Sequence, residues 1–143
     1  MIETILVPID IARIEAGAGA LKLAGDLAKS HGSKFILLNV HESLPTYVAT
    51  EIPKELYKTH LSNAADRLNE IIRDQGLPDT TEVVVREGHP SNEILEYAKD
   101  TGVDLIVIAS HDPGLADYFL GSVAARVVRH AHCSVLVARE LEN

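Results

Sequence analysis

Asp104-Leu105-Ile106-Val107-Ile108-Ala109 is the stretch that decides the fold. It is a nearly continuous apolar run, not an alternating one, as expected of a strand whose two faces are both covered by helices in a parallel sheet. Three more runs share the pattern: Thr4-Ile5-Leu6-Val7-Pro8-Ile9, Lys34-Phe35-Ile36-Leu37-Leu38-Asn39-Val40 and Ser134-Val135-Leu136-Val137-Ala138. A fifth strand, Thr81-Glu82-Val83-Val84-Val85-Arg86, is more polar and belongs at an edge.

Helical segments separate the strands. Ile14 to Ser30 carries Leu21, Ala24, Leu27 and Ala28 at helical spacing and stops at His31-Gly32. Pro53 suits a first helical turn, and Tyr57, Leu61, Ala64, Ala65, Leu68, Ile71 and Ile72 then make one apolar stripe that ends before Gly76 and Pro78. Pro90 opens a third helix with Ile94, Leu95 and Ala98 inward and Gly102 as its stop; a fourth runs from Gly121-Ser122 through Val123, Val127 and Val128 to His130. Strict alternation of strand and helix implies right-handed crossovers and a doubly wound α/β sheet of five parallel strands with helices on both faces. Ligands of such sheets bind beyond the carboxyl ends of the strands where the strand order reverses, between the first strand and the fourth. That points to Pro8–Ile11 and Ile108–Ser122.

The chain has 143 residues, room for one domain over residues 1–143. Its 46% hydrophobic and 24% charged residues are the balance of a globular protein with a real core. Thirteen Lys and Arg against 21 Asp and Glu leave a net charge of −8, which repels nucleic acid and anionic lipid. No apolar run approaches the ~20 residues of a membrane span. Cys133 is the one cysteine, and Met1-Ile2-Glu3 leads straight into a strand without a signal-like segment, so the expected compartment is the cytoplasm.

Ala109-Ser110-His111-Asp112-Pro113-Gly114 followed by Leu120-Gly121-Ser122 has the parts of an anion cradle. Gly121 allows close backbone approach, Ser122 offers a hydroxyl at a helix start, and first-turn amides point outward for a phosphate. The alternative is that Ser122 is an N-cap and Gly121 a loop residue. Asp10 follows the first strand, where a carboxylate can accept hydrogen bonds from ribose hydroxyls or an adenine amino group; the alternative is a turn residue or helix cap.

Several blocks together resemble the universal stress proteins of the UspA type. They are Thr4-Ile5-Leu6-Val7-Pro8-Ile9-Asp10, Glu87-Gly88-His89-Pro90 with Ile94, Asp104 through His111, and Leu120-Gly121-Ser122-Val123-Ala124 through Arg129-His130-Ala131-His132-Cys133 to Val137. The resemblance covers the whole chain. Ser110-His111, Pro113, Tyr118 and Leu120-Gly121-Ser122 are most similar to the UspF and UspG subgroup. It implies a Rossmann-like sheet of the adenine nucleotide alpha hydrolase type, ordered 3-2-1-4-5, usually in a homodimer. Nucleotide-binding members carry Gly, two residues, Gly, nine residues, Gly, then Ser or Thr. This chain departs from that pattern with Ala109, two residues, Asp112, eight residues, Gly121 and Ser122.

Carried over by position, Pro8, Ile9, Asp10 and Val40 line an adenosine pocket with Ile108 and Ala109 beside them, and Ser110, His111, Gly121, Ser122 and Val123 take the ribose and phosphates. Ala109 holds backbone further from a ligand than Gly does. Asp112 adds like-charge repulsion to phosphates, which Mg²⁺ between them would reverse. The subgroup resembled also lacks the full glycine pattern yet is associated with ATP, so ATP is the leading ligand.

Other constellations read as structural. His130 and His132 sit where a helix ends, a favourable place for a cation, with no third metal ligand nearby. Ser110-His111-Asp112 is consecutive, and neighbouring side chains rarely converge into a triad. Cys133 reads as a small buried apolar residue. The helix from Pro53 to Gln75 packs on the core with a solvated face, and the loop His41–Ile52, with Leu44, Pro45, Tyr47 and Val48, is long enough to gate a ligand or touch a partner. In a sheet ordered 3-2-1-4-5 the last strand, residues 133–138, is an apolar edge, which predicts pairing with a second copy in a homodimer.

Two functions follow. The first is an ATP-binding stress-response regulator with at most slow hydrolysis or self-phosphorylation, on Ser122 or a neighbour, since no Gly-Lys-Ser, Gly-Lys-Thr, evident base or arginine finger is present. The second is a dimeric interaction module that has lost the nucleotide. A phospho-receiver and a flavodoxin both fail at their diagnostic loops, Arg86-Glu87, Arg139-Glu140 and Asp10-Ile11-Ala12-Arg13.

Overall fold

The structure, a computed structural model, describes residues 2–42, 45–110 and 120–139. Five parallel strands, β1 (Thr4–Pro8), β2 (Lys34–His41), β3 (Glu82–Glu87), β4 (Leu105–Ala109) and β5 (Ser134–Ala138), form one sheet ordered β3-β2-β1-β4-β5. Helices α1 (Ile14–His31), α2 (Thr46–Ala49), α3 (Lys54–Asp74), α4 (Pro90–Thr101) and α5 (Ser122–His130) lie between them. Ile5 pairs with Phe35 on one side and Leu105 on the other, so β1 is the centre of the sheet.

Strand periodicity divides the core into two layers. Ile5, Val7, Phe35, Leu37, Leu105 and Val107 meet Leu21 and Ala24 of α1 and Leu68 and Ile71 of α3 on one face. On the other, Leu6, Ile36, Leu38, Ile106 and Ile108 meet Ile94, Tyr97 and Ala98 of α4 and Ala124 and Val127 of α5. Both faces of β1, β2 and β4 are thereby dry, which is why their sequences are continuously apolar.

The two edges differ in chemistry. β3 is half-exposed and carries Glu82, which pairs with Lys34 at 3.1 Å, and Arg86, whose guanidinium lies 3.5 Å from Glu93 and 5.0 Å from the Tyr97 ring centroid. β5 presents half-buried Val135, Leu136 and Val137. Cys133, read from sequence as buried, is half-buried beside the second layer, and burial is the main cause pushing its thiol above its ordinary value.

The long loop after β2 contains a turn of helix, α2, that the sequence reading passes over as loop, because four residues are too few to show a period. In α3 the apolar stripe is deeply buried only in its second half, at Ala64, Leu68, Ile71 and Ile72. Tyr57 and Leu61 are half-buried and His60 is exposed. The Tyr57 hydroxyl donates to the Glu87 carboxylate at the carboxyl end of β3. Among the described residues no helix is long and apolar enough to cross a membrane.

Candidate functional site

Two backbone devices shape the carboxyl end of β1. Ile9 continues the strand by one residue: its N–H donates to the Leu38 carbonyl at 2.8 Å, and its carbonyl accepts from the buried Asn39 Nδ2 at 2.8 Å. The chain then turns on Asp10, whose Oδ1 accepts the Ala12 N–H at 2.9 Å and whose carbonyl accepts the Arg13 N–H at 3.0 Å. The turn-residue reading of Asp10 thus describes one of its oxygens. The other has no partner among the described residues and remains available as an acceptor.

Across the sheet, β4 ends at Ala109, and Ser110 continues the ladder by donating its N–H to the Ala138 carbonyl at 3.0 Å. The Gly121 N–H returns to the Ser110 carbonyl at 2.9 Å, which docks the start of α5 beside the end of β4. Gly121 occupies the N-cap with φ −62° and ψ 158°, and Ser122 is the first helical residue. The alternative that made Ser122 the N-cap is therefore not what the structure shows. The first-turn amides of α5 lack intrahelical acceptors and make a concentration of positive dipole.

Between these two ends lies a cleft of about 850 Å³. Pro8, Ile9, Asp10, Val40, Ile108, Ala109, Gly121, Ser122 and Val123, all read from sequence, line it. Ser110 is not among these lining residues: it is buried at 3% exposure, and its backbone N–H extends the β4–β5 ladder. His111 and Asp112 lie outside the described residues, and with them the suggested Mg²⁺ contact. Among the described residues no group of three or more His, Cys, Asp or Glu side chains is placed to hold a metal ion.

Sequence reasoning missed other parts of the wall. Asn39, Arg13, His41, Glu42 and His60 all line the cleft. The His41 and His60 rings stand 4.7 Å apart at an interplanar angle of 48°. His41 Nε2 is buried without a partner among the described residues. Burial, then the neighbouring His60, lowers the His41 pKa below its ordinary 6.5, with Glu87 opposing both. The sequence signal for Arg13 was its position three residues after Asp10; for His60 there was none, since it comes from a helix far along the chain.

A doubly wound α/β domain with a cleft of small-ligand size at the reversal of its strand order has the architecture of the Rossmann-like class, whose ligands bind at that reversal. Comparison with known proteins places it further. Residues 1–139 match the model of the universal stress protein family, and the chain belongs to that family. It is 30% identical over 146 residues to universal stress protein G of Escherichia coli O157:H7, covering 97% of this chain and 100% of that one. The solved universal stress protein UspA of Lactobacillus plantarum superposes with a TM-score of 0.79 at 26% identity, covering 96% and 97% of the two chains. A universal stress protein solved in complex with cAMP gives 0.65 at 25% identity, covering 96% and 97%.

Proposed function

We propose that this chain binds an adenine nucleotide, ATP foremost, across the carboxyl ends of β1 and β4, and works as a homodimeric regulator in the cytoplasm. The carrying observation is the cleft, in which the Asp10 turn and the α5 N-terminus flank an apolar floor of Pro8, Ile9, Val40 and Ile108. A planar base suits that floor, ribose hydroxyls suit the carboxylate, and phosphates suit the amides of Ser122 to Ala124. The cAMP complex of a 25% identical protein supports an adenine ligand. Turnover, by this reading, is no faster than slow hydrolysis or self-phosphorylation.

Dimerisation is proposed through β5, an apolar strand with a neighbour on one side only in the sheet order. Sedimentation at micromolar concentration should give twice the chain mass; a monomer overturns this part.

Calorimetric titration with ATP, ADP and AMP, with and without Mg²⁺, tests the ligand, together with a melting shift that grows as RT ln(1 + [L]/Kd). No heat and no shift with any of them overturns the reading. It would favour the nucleotide-free dimeric module, to which Ala109, facing the cleft where the family's pattern has glycine, already points.

A further inference from the structure

Arg13 stands against the rules of its own position. It is the N-cap residue of α1, with φ −142° and ψ 60°, where Asp, Asn, Ser and Thr are favoured because their oxygens accept first-turn amides. It makes no such hydrogen bond. The residue is exposed and stands at the positive end of the α1 dipole, where a cation is repelled and an anion is attracted. Among the described residues it forms no ion pair, although Asp10, Glu15 and Glu42 are near in sequence or in the cleft wall. Local choices that lower stability and have no internal compensation are found where a ligand supplies the compensation.

The location says what that ligand carries. Arg13 is the one Lys or Arg in the described cleft wall, which otherwise holds the carboxylates of Asp10 and Glu42 in a chain of net charge −8. The turn Asp10–Arg13 is pinned by the two hydrogen bonds to Asp10, so the backbone that carries Arg13 into the cleft wall is fixed. The start of α5, with Gly121 and Ser122, lines the same cleft. A nucleoside monophosphate can be met by the α5 amides alone. A di- or triphosphate brings added negative charge into a cleft that already holds two carboxylates, and a fork of guanidinium donors is suited to answer it.

We infer that Arg13 is the specificity-determining residue of the cleft: it grips the terminal phosphates and selects nucleoside di- and triphosphates over monophosphates. This rests on the proposed adenine-nucleotide reading. It goes beyond it by assigning a discriminating role to a residue in the β1–α1 turn, a segment the family's glycine pattern does not include.

The test is calorimetry of the full chain with adenosine, AMP, ADP and ATP, at low and high salt, in the parent, Arg13→Gln and Arg13→Asp. Arg13→Gln should weaken ATP about tenfold or more and AMP less than about twofold, flattening the salt dependence for ATP. Arg13→Asp should abolish the preference for ATP and, by supplying a proper N-cap, raise the melting temperature of the ligand-free chain. ATP binding with the same ATP-to-AMP ratio in parent and Arg13→Gln overturns the inference and leaves the nucleotide site standing. Melting temperatures lowered in both variants would show that Arg13 supports the fold, which also overturns it. No binding of any adenosine ligand to the parent overturns the site reading, and this inference with it.

Discussion

Asn39 and Ile9 are joined by a hydrogen bond of 2.8 Å from the Asn39 amide to the Ile9 carbonyl, one residue past the end of β1. Through it β2 fixes the direction in which the chain leaves the sheet toward Asp10. The cost is visible in the same side chain, whose buried Oδ1 has no partner among the described residues. Asn39→Leu removes that unpaired oxygen but strands the Ile9 carbonyl, and the two effects offset in part. We expect about 1 kcal/mol of destabilisation, roughly 3 °C in melting temperature, and a larger fractional loss in ligand affinity than in stability. Urea melts with parallel calorimetry decide it; unchanged affinity would show that the Asp10 turn holds its place without Asn39.

The His41–His60 contact makes stability depend on pH with a defined sign. The folded pKa of His41 lies below 6.5, so the unfolded chain binds its proton first as pH falls. The associated stability is complete above about pH 6.5 and is lost progressively below it, down through the folded pKa. The charged groups acting on His41 are His60 on α3 and Glu87 on β3, with Glu42 next in the chain. Urea unfolding at pH values from 8 to 5 should show a decline below 6.5 that is shallower in His41→Gln. Identical slopes would remove His41 from the account.

Gly88 joins β3 to α4 with φ 148°, a conformation side chains avoid, and its N–H donates to the His41 carbonyl at 2.8 Å. A Cβ there would stand 2.6 Å from Glu93 Oε1 and 2.9 Å from Glu93 Cγ. Gly88→Ala must strain the backbone and displace Glu93 from Arg86, for about 1–3 kcal/mol of lost stability. Chemical denaturation measures it, and a loss under about 0.5 kcal/mol would mean that the turn can adopt another shape.

Gly121 differs, because its φ of −62° and ψ of 158° suit any residue. Gly121→Val therefore meets no backbone strain, but Gly121 is buried and caps α5, so about 1–2 kcal/mol of stability is lost while the branched side chain fills the space nearest the α5 amides. Nucleotide affinity is expected to drop about a hundredfold. Parent-like affinity would place the phosphates elsewhere.

Much of this architecture is legible in sequence because continuous apolar runs report strands covered on both faces. Asp104 to Ala109 could sit only inside a helix-covered sheet, and the charges of Glu82 and Arg86 mark an edge. The topology rule then names the strand ends that meet, which is why Pro8, Asp10, Ala109 and Gly121 fall on one cleft. Residues brought in by helix phase and overhang are not legible that way. His60 reaches the wall only because the first turns of α3 meet the carboxyl ends of β2 and β3. Ser110 is set apart from the other residues for a related reason: the ladder runs one residue beyond β4, and its backbone N–H stays with β5.

The unlike edges of the sheet have a consequence for assembly. Lys34, Glu82 and Arg86 make the β3 border a hydrated barrier to further strands, while the β5 border is greasy and receptive. Two copies meeting at β5 would present only barriers outward, so association of this kind terminates at a pair and cannot propagate into a fibre.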